Sequence, residues 1–422
     1  MLSSNITSLG LDHSSVEVCL SIAASQAYLR HNVAAHYILP NDWRKTHEKR
    51  FYSIGISGIS IAPVRHGILC RAPQQVSTQP KRIEVAFVLD TTGSMVDLLE
   101  GTKRKIWSIA NTIVDVQPDA DIRMALIGYR DRGDDYVVKS FDMSKDLQSL
   151  YANLRRFEAD GGGDDSESVN EALDNAIGRL TWSEGSATQR IVFLVGDAPP
   201  HMDYKGERKY PEILAEAKSR NIRVNAVQAG NSEETRNFWK DIAERGSGRY
   251  IKIAQDGGRI DEVKTPYDQE IITVQQNIDN TIMPYGNAAI RQELNSKLAA
   301  KAAAPMEAQV ENSKFYSKRS SMKEVITGGG DLLDDIRNKN LKWNEVKESE
   351  LPASLKDKSH AEQKKIIDET LNVRTELERQ MTDLVQKRDE YVESEMQKNA
   401  KNGDVSFDKV VADMLKQQLA QQ

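Results

Sequence analysis

Asp90-Thr91-Thr92-Gly93-Ser94 holds a carboxylate, a hydroxyl two residues on and a second hydroxyl two residues beyond that. This D-x-T-x-S spacing lets alternate side chains of a tight turn converge on one point. A carboxylate and two hydroxyls are hard oxygen donors, suited to Mg²⁺, Mn²⁺ or Ca²⁺. The same residues also suit a plainer role, since Asp and Ser commonly cap helices. Two further segments add acids. Gly196-Asp197-Ala198-Pro199-Pro200-His201 sets Asp197 just beyond an apolar run. Asp160-Gly161-Gly162-Gly163-Asp164-Asp165-Ser166-Glu167 joins three glycines, which permit a close approach of backbone to an ion or ligand, to three carboxylates. His201 lies near Asp197, but a lone histidine beside a loop is most often a hydrogen-bonding group. No nucleophile is placed by spacing to accompany it.

The elements that must position these residues follow from the apolar pattern. Ile83 to Leu89 and Ile191 to Val195 are short, nearly continuous apolar runs, as expected of strands buried on both faces of a parallel sheet. Ile122 to Tyr129, Ile222 to Val227 and Arg249 to Ala254 read as further strands, and Tyr136 to Phe141 as an edge strand. Between them lie helical patterns at Met95 to Val116, Leu147 to Phe157, Val169 to Leu180, Pro211 to Arg220 and Thr235 to Arg245. Alternation of this kind predicts right-handed βαβ units in a doubly wound, mainly parallel α/β sheet. Ligand sites in such sheets lie beyond the carboxyl ends of the strands. Asp90 and Asp197 both fall there, on one rim.

Composition excludes several other classes. Lys+Arg is 57 against 63 Asp+Glu, a formal net charge of −6, so a protein that works by neutralising nucleic-acid phosphates is not expected. No apolar run approaches the roughly 18 residues of a membrane span. The two cysteines, Cys19 and Cys70, supply neither a disulfide framework nor a cysteine-rich zinc site. HExxH, GxxxxGK[ST] and GxSxG are all absent. Hydrophobic residues make up 39%, low enough to predict that part of the chain is a solvated helical extension.

On these residues the chain resembles the von Willebrand factor type A (VWA) family, whose domains carry a metal-ion-dependent adhesion site. Asp90, Thr92 and Ser94 match the family's first metal motif, and Asp197 its last. The middle ligand is often a Thr, and none stands in the glycine loop here. Gly163-Asp164-Asp165-Ser166-Glu167 is instead similar to the D-x-P-E loop in the A-type domains of integrin β-subunits, with Ser166 in place of the Pro. The resemblance therefore implies Glu167 as third ligand and Asp164 at a neighbouring metal position. Asp97 matches an acid at an adjacent metal site, but an acid in a first helical turn needs no metal to explain it. Tyr129-Arg130-Asp131-Arg132-Gly133-Asp134, Ala254-Gln255-Asp256-Gly257-Gly258, Glu350-Leu351-Pro352 and Arg388-Asp389-Glu390-Tyr391 look like a bacterial subgroup of the family. Most of its members have no known function and many look exported, although residues 1–30 lack the basic start of a signal peptide.

The resemblance implies a Rossmann-like VWA domain at 81–258. It is preceded by a segment at 1–80 without clear period and followed at 259–422 by a helical, partly coiled-coil-like extension. It also implies a non-enzymatic, metal-dependent binding module. Mg²⁺, or Mn²⁺ or Ca²⁺, would keep an open position for an Asp or Glu of a protein partner. The alternative is an adaptor or regulatory subunit of a separate ATPase or other enzyme complex. Some alpha-type protein kinases carry a similar A domain, but nothing after residue 258 looks like their catalytic domain. In the extension, Ile366, Ile367, Leu371, Val373, Leu377, Met381, Leu384, Val385 and Tyr391 fall at three- and four-residue steps. That stripe suits a hairpin with a helix near 287–303, or self-association. The five histidines of the N-terminal segment, His13, His31, His36, His47 and His66, are too irregular for a predicted metal site.

Overall fold

Every residue of strand β1 (Arg82–Asp90) except Arg82 is buried, because both faces of this strand are covered. It pairs in parallel with β2 (Asp121–Tyr129) on one side and β4 (Thr188–Gly196) on the other. β5 (Ile222–Ala229) and β6 (Ser247–Ile253) extend the sheet in parallel beyond β4, and β3 (Val138–Ser144) runs antiparallel at the opposite edge. The order is β3-β2-β1-β4-β5-β6. The computed structural model describes residues 81–163, 166–185, 187–256, 263–319, 324–326, 328–399 and 407–420. All of them lie in one compact unit, Ser77–Gln422. Asp164, both cysteines and the five N-terminal histidines lie outside the described residues.

Alternation along β1 divides the core into two layers. Ile83, Val85, Phe87 and Leu89 face α1 (Val96–Val116) and α2 (Leu147–Leu154). Ala86 and Val88 face α3 (Val169–Asp174), α4 (Tyr210–Ser219) and α5 (Glu233–Arg245). The small Ala86 and the flat stack of Phe87 on Phe193 of β4, with centroids 5.7 Å apart, let the helices close on the sheet. α3 does not run on regularly to Leu180. It widens into a π-helical turn over Asn175–Arg179, closed by Leu180 N donating to the Asn175 carbonyl.

The helical extension completes this core. Helix α6 (Asp268–Asp279) leads to α7 (Ala288–Ala302), α8 (Met306–Lys318), α9 (Leu332–Arg337), α10 (His360–Asn399) and α11 (Phe407–Ala420). α8 and α11 both lie against α1. They place Phe315 beside Trp107, and Val410, Val411, Met414, Leu415 and Leu419 in the same apolar cluster as the sheet. A polar latch accompanies them: Gln418 Nε2 donates to Asn225 Oδ1 of β5 at 2.8 Å, with both residues buried.

The expected hairpin between the long helix and 287–303 does not form. α10 instead packs on α6 and α8 through Met381, Leu384 and Val385, while Ile367 is buried with Met283, Leu355 and Leu332 and Leu333 of α9. The reason is the surface on offer. α6 presents Ile271, Ile272, Val274 and Ile278, whereas the alanine-rich α7 buries only Leu294, Lys297 and Lys301 along its length. Fully buried Arg374 anchors α10, bonding Asp331 at 2.6 Å, Asp334 at 2.9 Å and both oxygens of Thr281.

The apolar face of α11 belongs to the sheet core, so Leu415→Ala is expected to destabilise the whole unit by roughly 2–5 kcal/mol. Urea denaturation followed by far-UV circular dichroism checks this. An unchanged midpoint would mean that α11 is not part of the cooperative fold.

Candidate functional site: an acidic rim at the switch point

Strand order reverses at β1, whose neighbours β2 and β4 lead to opposite edges. Open α/β sheets bind ligands in the crevice at such a point. Asp90 is the last residue of β1, in register with Tyr129, and Asp197 directly follows β4. The two carboxylates therefore stand side by side. Gly196 makes this possible, because a Cβ there would lie 3.1 Å from Asp90 Oδ2 and would overlap the Tyr129 hydroxyl. That hydroxyl donates beneath Asp90 to the Val195 carbonyl at 3.3 Å.

The D-x-T-x-S turn is closed by its own first residue. Asp90 Oδ1 accepts from Thr92 N at 2.9 Å and from Thr92 Oγ1 at 2.6 Å, and Thr92 Oγ1 lies 3.3 Å from Ser94 Oγ. Neither Asp90 nor Ser94 caps α1, whose start has no side-chain cap. The glycine loop is tied to this turn by Gly93 N donating to the Gly161 carbonyl and Asp160 N to the Thr91 carbonyl. Gly161 and Gly162 have φ of +78° and +84°, a left-handed conformation that suits glycine. A Cβ at 162 would press on Thr92 at 3.3 Å and Glu167 Oε1 at 3.4 Å. The loop thus brings Glu167 against the Asp90 turn. Two main-chain bonds hold it there, from Glu167 N to the Pro199 carbonyl and from His201 N to the Glu167 carbonyl.

The result is three acids with one buried oxygen each that lacks a well-formed hydrogen bond: Asp90 Oδ2, Glu167 Oε2 and Asp197 Oδ1, although the Asp197 main-chain N–H lies near enough to favour the charged Asp90 carboxyl slightly. Burying unbonded carboxylate oxygens is costly. Burial, and then the nearby Asp197, push the Asp90 carboxyl up to about 7. Burial, with Asp90, Asp131, Asp134 and Asp197 nearby, pushes Glu167 up to about 9. The Tyr129 phenol is raised well above its ordinary value by burial and by the same three acids. Among the described residues, no group of three or more His, Cys, Asp or Glu is arranged to hold a metal ion by itself. A cation here would need the Thr92 and Ser94 hydroxyls as well. Asp97 is exposed in the first turn of α1.

Several supporting residues carry no legible role in the sequence. Arg130 donates to the Thr91 carbonyl at 3.2 Å and the Glu158 carbonyl at 2.8 Å, fixing the strand-end loops. Asp134 accepts from Gly162 N at 3.2 Å. Asp131 accepts from Ser168 Oγ and Tyr204 Oη, and His201 stacks on Tyr204 while its Nδ1 lies 2.9 Å from Asp203. Gln255 Nε2 donates to Asp197 Oδ2 at 2.6 Å. Arg130, Asp131, Asp134 and Gln255 are marked in the sequence only by membership of the Tyr129–Asp134 and Ala254–Gly258 motifs, His201 reads there as a hydrogen-bonding group, and Ser168, Asp203 and Tyr204 carry no signal.

Comparison with known proteins gives the fold a place. Residues 84–264 match the family model described as von Willebrand factor A domain. No curated protein matches the sequence. Among solved structures, the VWA domain of SpRpn10 is 14% identical with a TM-score of 0.32, over 41% of this chain and 88% of that one. Proximal thread matrix protein 1 from the mussel byssus is 15% identical with a TM-score of 0.32, over 42% of this chain and 43% of that one.

The raised carboxyls predict a pH effect of definite sign. In the unfolded chain Asp90 and Glu167 ionise near their ordinary values of 3.8 and 4.5, but in the fold only near 7 and 9. The native state therefore holds extra protons between those limits, and its stability falls as pH rises through them. In chelator, Glu167→Gln is expected to melt with the parent at pH 4 and increasingly above it toward pH 9. Parallel melting curves at all pH values would refute the crowding of these acids.

Proposed function

Because residues 84–264 form a von Willebrand factor A domain, we propose that the chain is a non-enzymatic, metal-ion-dependent protein-binding module. The observation that carries this reading is the set of three buried carboxylate oxygens, Asp90 Oδ2, Glu167 Oε2 and Asp197 Oδ1, that lack a well-formed hydrogen bond from the protein. A divalent cation would satisfy them. Asp90, Thr92, Ser94, Glu167 and Asp197 are the residues that would hold it, directly or through water. The donors are all oxygen, which suits Mg²⁺, Mn²⁺ or Ca²⁺.

When bound, such an ion supplies a coordination position that an Asp or Glu of a protein partner can fill. The chain's own residues set the terms. Three carboxylates around one ion leave it with less attraction for a further anion than a hydroxyl-rich set would. Moderate affinity for an acidic partner is therefore expected. The Asp90 turn, the glycine loop and the loop after β4 are cross-bonded through their main chains, so partner binding meets a rim that is already formed. Asp97 and Asp164 would lie at an adjacent position, subordinate to the first.

Thermal denaturation with Mg²⁺, Mn²⁺ and Ca²⁺ tests the site. At about 100 times its Kd, a bound ion is expected to add about 2.7 kcal/mol to the stability of the parent chain. Asp90→Ala should show no such gain. Identical titration curves for the two proteins would sink the metal assignment.

A further inference from the structure

Gln255 comes from the end of β6, two strands away from β4, and still reaches the acidic rim. Its Nε2 donates to Asp197 Oδ2 at 2.6 Å and to the Ser94 carbonyl at 3.2 Å. Both partners are acceptors only, so the amide's NH₂ must face them and its orientation is settled by chemistry. The other end of the amide occupies a slot at the end of β5. Gly230 stands there with φ of +74°, and a Cβ on it would overlap Gln255 Oε1. The side chain is thus seated between a glycine that makes room for it and two acceptors that orient it.

The consequence for Asp197 is specific. One carboxylate oxygen, Oδ2, is taken by the amide, while the other, Oδ1, is buried and unbonded beside Asp90. The same NH₂ also grips the main chain of Ser94, whose hydroxyl lies in the D-x-T-x-S turn. We propose that Gln255 is a positioning residue for the cation site: it selects which oxygen of Asp197 is left for the ion and holds that carboxylate in register with the Ser94 turn. This rests on the metal reading above. Partners that orient a ligand from behind commonly govern metal affinity by 10- to 100-fold. The neutral amide does so without adding a fourth negative charge to the crowded rim.

The test uses the full chain with Gln255→Met, which keeps length and bulk but has no donor. Gly230→Ala, which closes the slot from the other side, accompanies it. Calorimetric titration with Mg²⁺ is expected to show affinity about 10-fold weaker or more in Gln255→Met. Its melting temperature in chelator should match the parent's. Mn²⁺ bound to the variant should give an altered electron paramagnetic resonance spectrum, because one ligand's orientation is released. If Gly230→Ala folds, it should reproduce both changes. Equal affinity and superimposable spectra in Gln255→Met would overturn the role, and so would an affinity loss matched by lower stability in chelator. No saturable binding in the parent would remove the metal reading and this role with it. Binding in the parent that Gln255→Met leaves unchanged would remove this role alone.

Discussion

Asp90, Tyr129 and Gly196 end three adjacent strands and share one small volume. The Tyr129 hydroxyl bonds the Val195 carbonyl, and only a residue without a side chain at 196 leaves space for both that hydroxyl and Asp90. This packing forces two carboxylates, Asp90 and Asp197, to the same side of the sheet with buried oxygens. The rest of the rim answers that constraint. The glycine loop folds down to the Asp90 turn through main-chain bonds, Glu167 is pinned to the loop after β4, and Gln255 reaches in to occupy one oxygen of Asp197. Crowded acids of this kind are unfavourable to the fold on their own. Such a cost is sustained where a site has a use for it.

The mechanical basis of the rim lies elsewhere. β1 is buried on both faces, and one of those faces is closed by α1 and then by helices from the far end of the sequence. The long α10 serves as the strut between them. It is fixed to α6 and α8 by an apolar stripe and to α9 by the buried Arg374 cluster. What composition marks as a solvated extension is solvated on one side only.

The strands and most helices were legible because each has its own short-range signature. Short β-branched runs such as Ile191 to Val195, alternating with helical stretches, suit strands buried on both faces, and their ends place Asp90 and Asp197 on one rim. Glu167 was reached only through family resemblance, because nothing in the glycine loop's spacing says which of its acids turns inward. Gln255 was not legible as a site residue. Its role depends on a slot made by Gly230 on another strand, and no local pattern encodes a reach across two strands. The docking of the extension failed in the same way. Periodicity tells that a helix has an apolar face but not which surface will cover it, and α10 chose the isoleucine-rich α6 over the alanine-rich α7. β3 was placed correctly at the edge of the sheet, though shifted toward Ser144.

The seating of α11 on α1 and the sheet sets an order of events during synthesis. β1 to β6 are complete once Ile253 has been made, with α1 and α2 already against one face, yet the side of α1 that α11 covers waits for Phe407–Ala420. At about 5–20 residues per second the ribosome needs roughly 8–30 s for the intervening chain. Throughout that time α1 lacks the packing that α11 gives it in the folded unit. An apolar surface of α1 is therefore exposed through that interval, and this side of the core closes only when α11 docks.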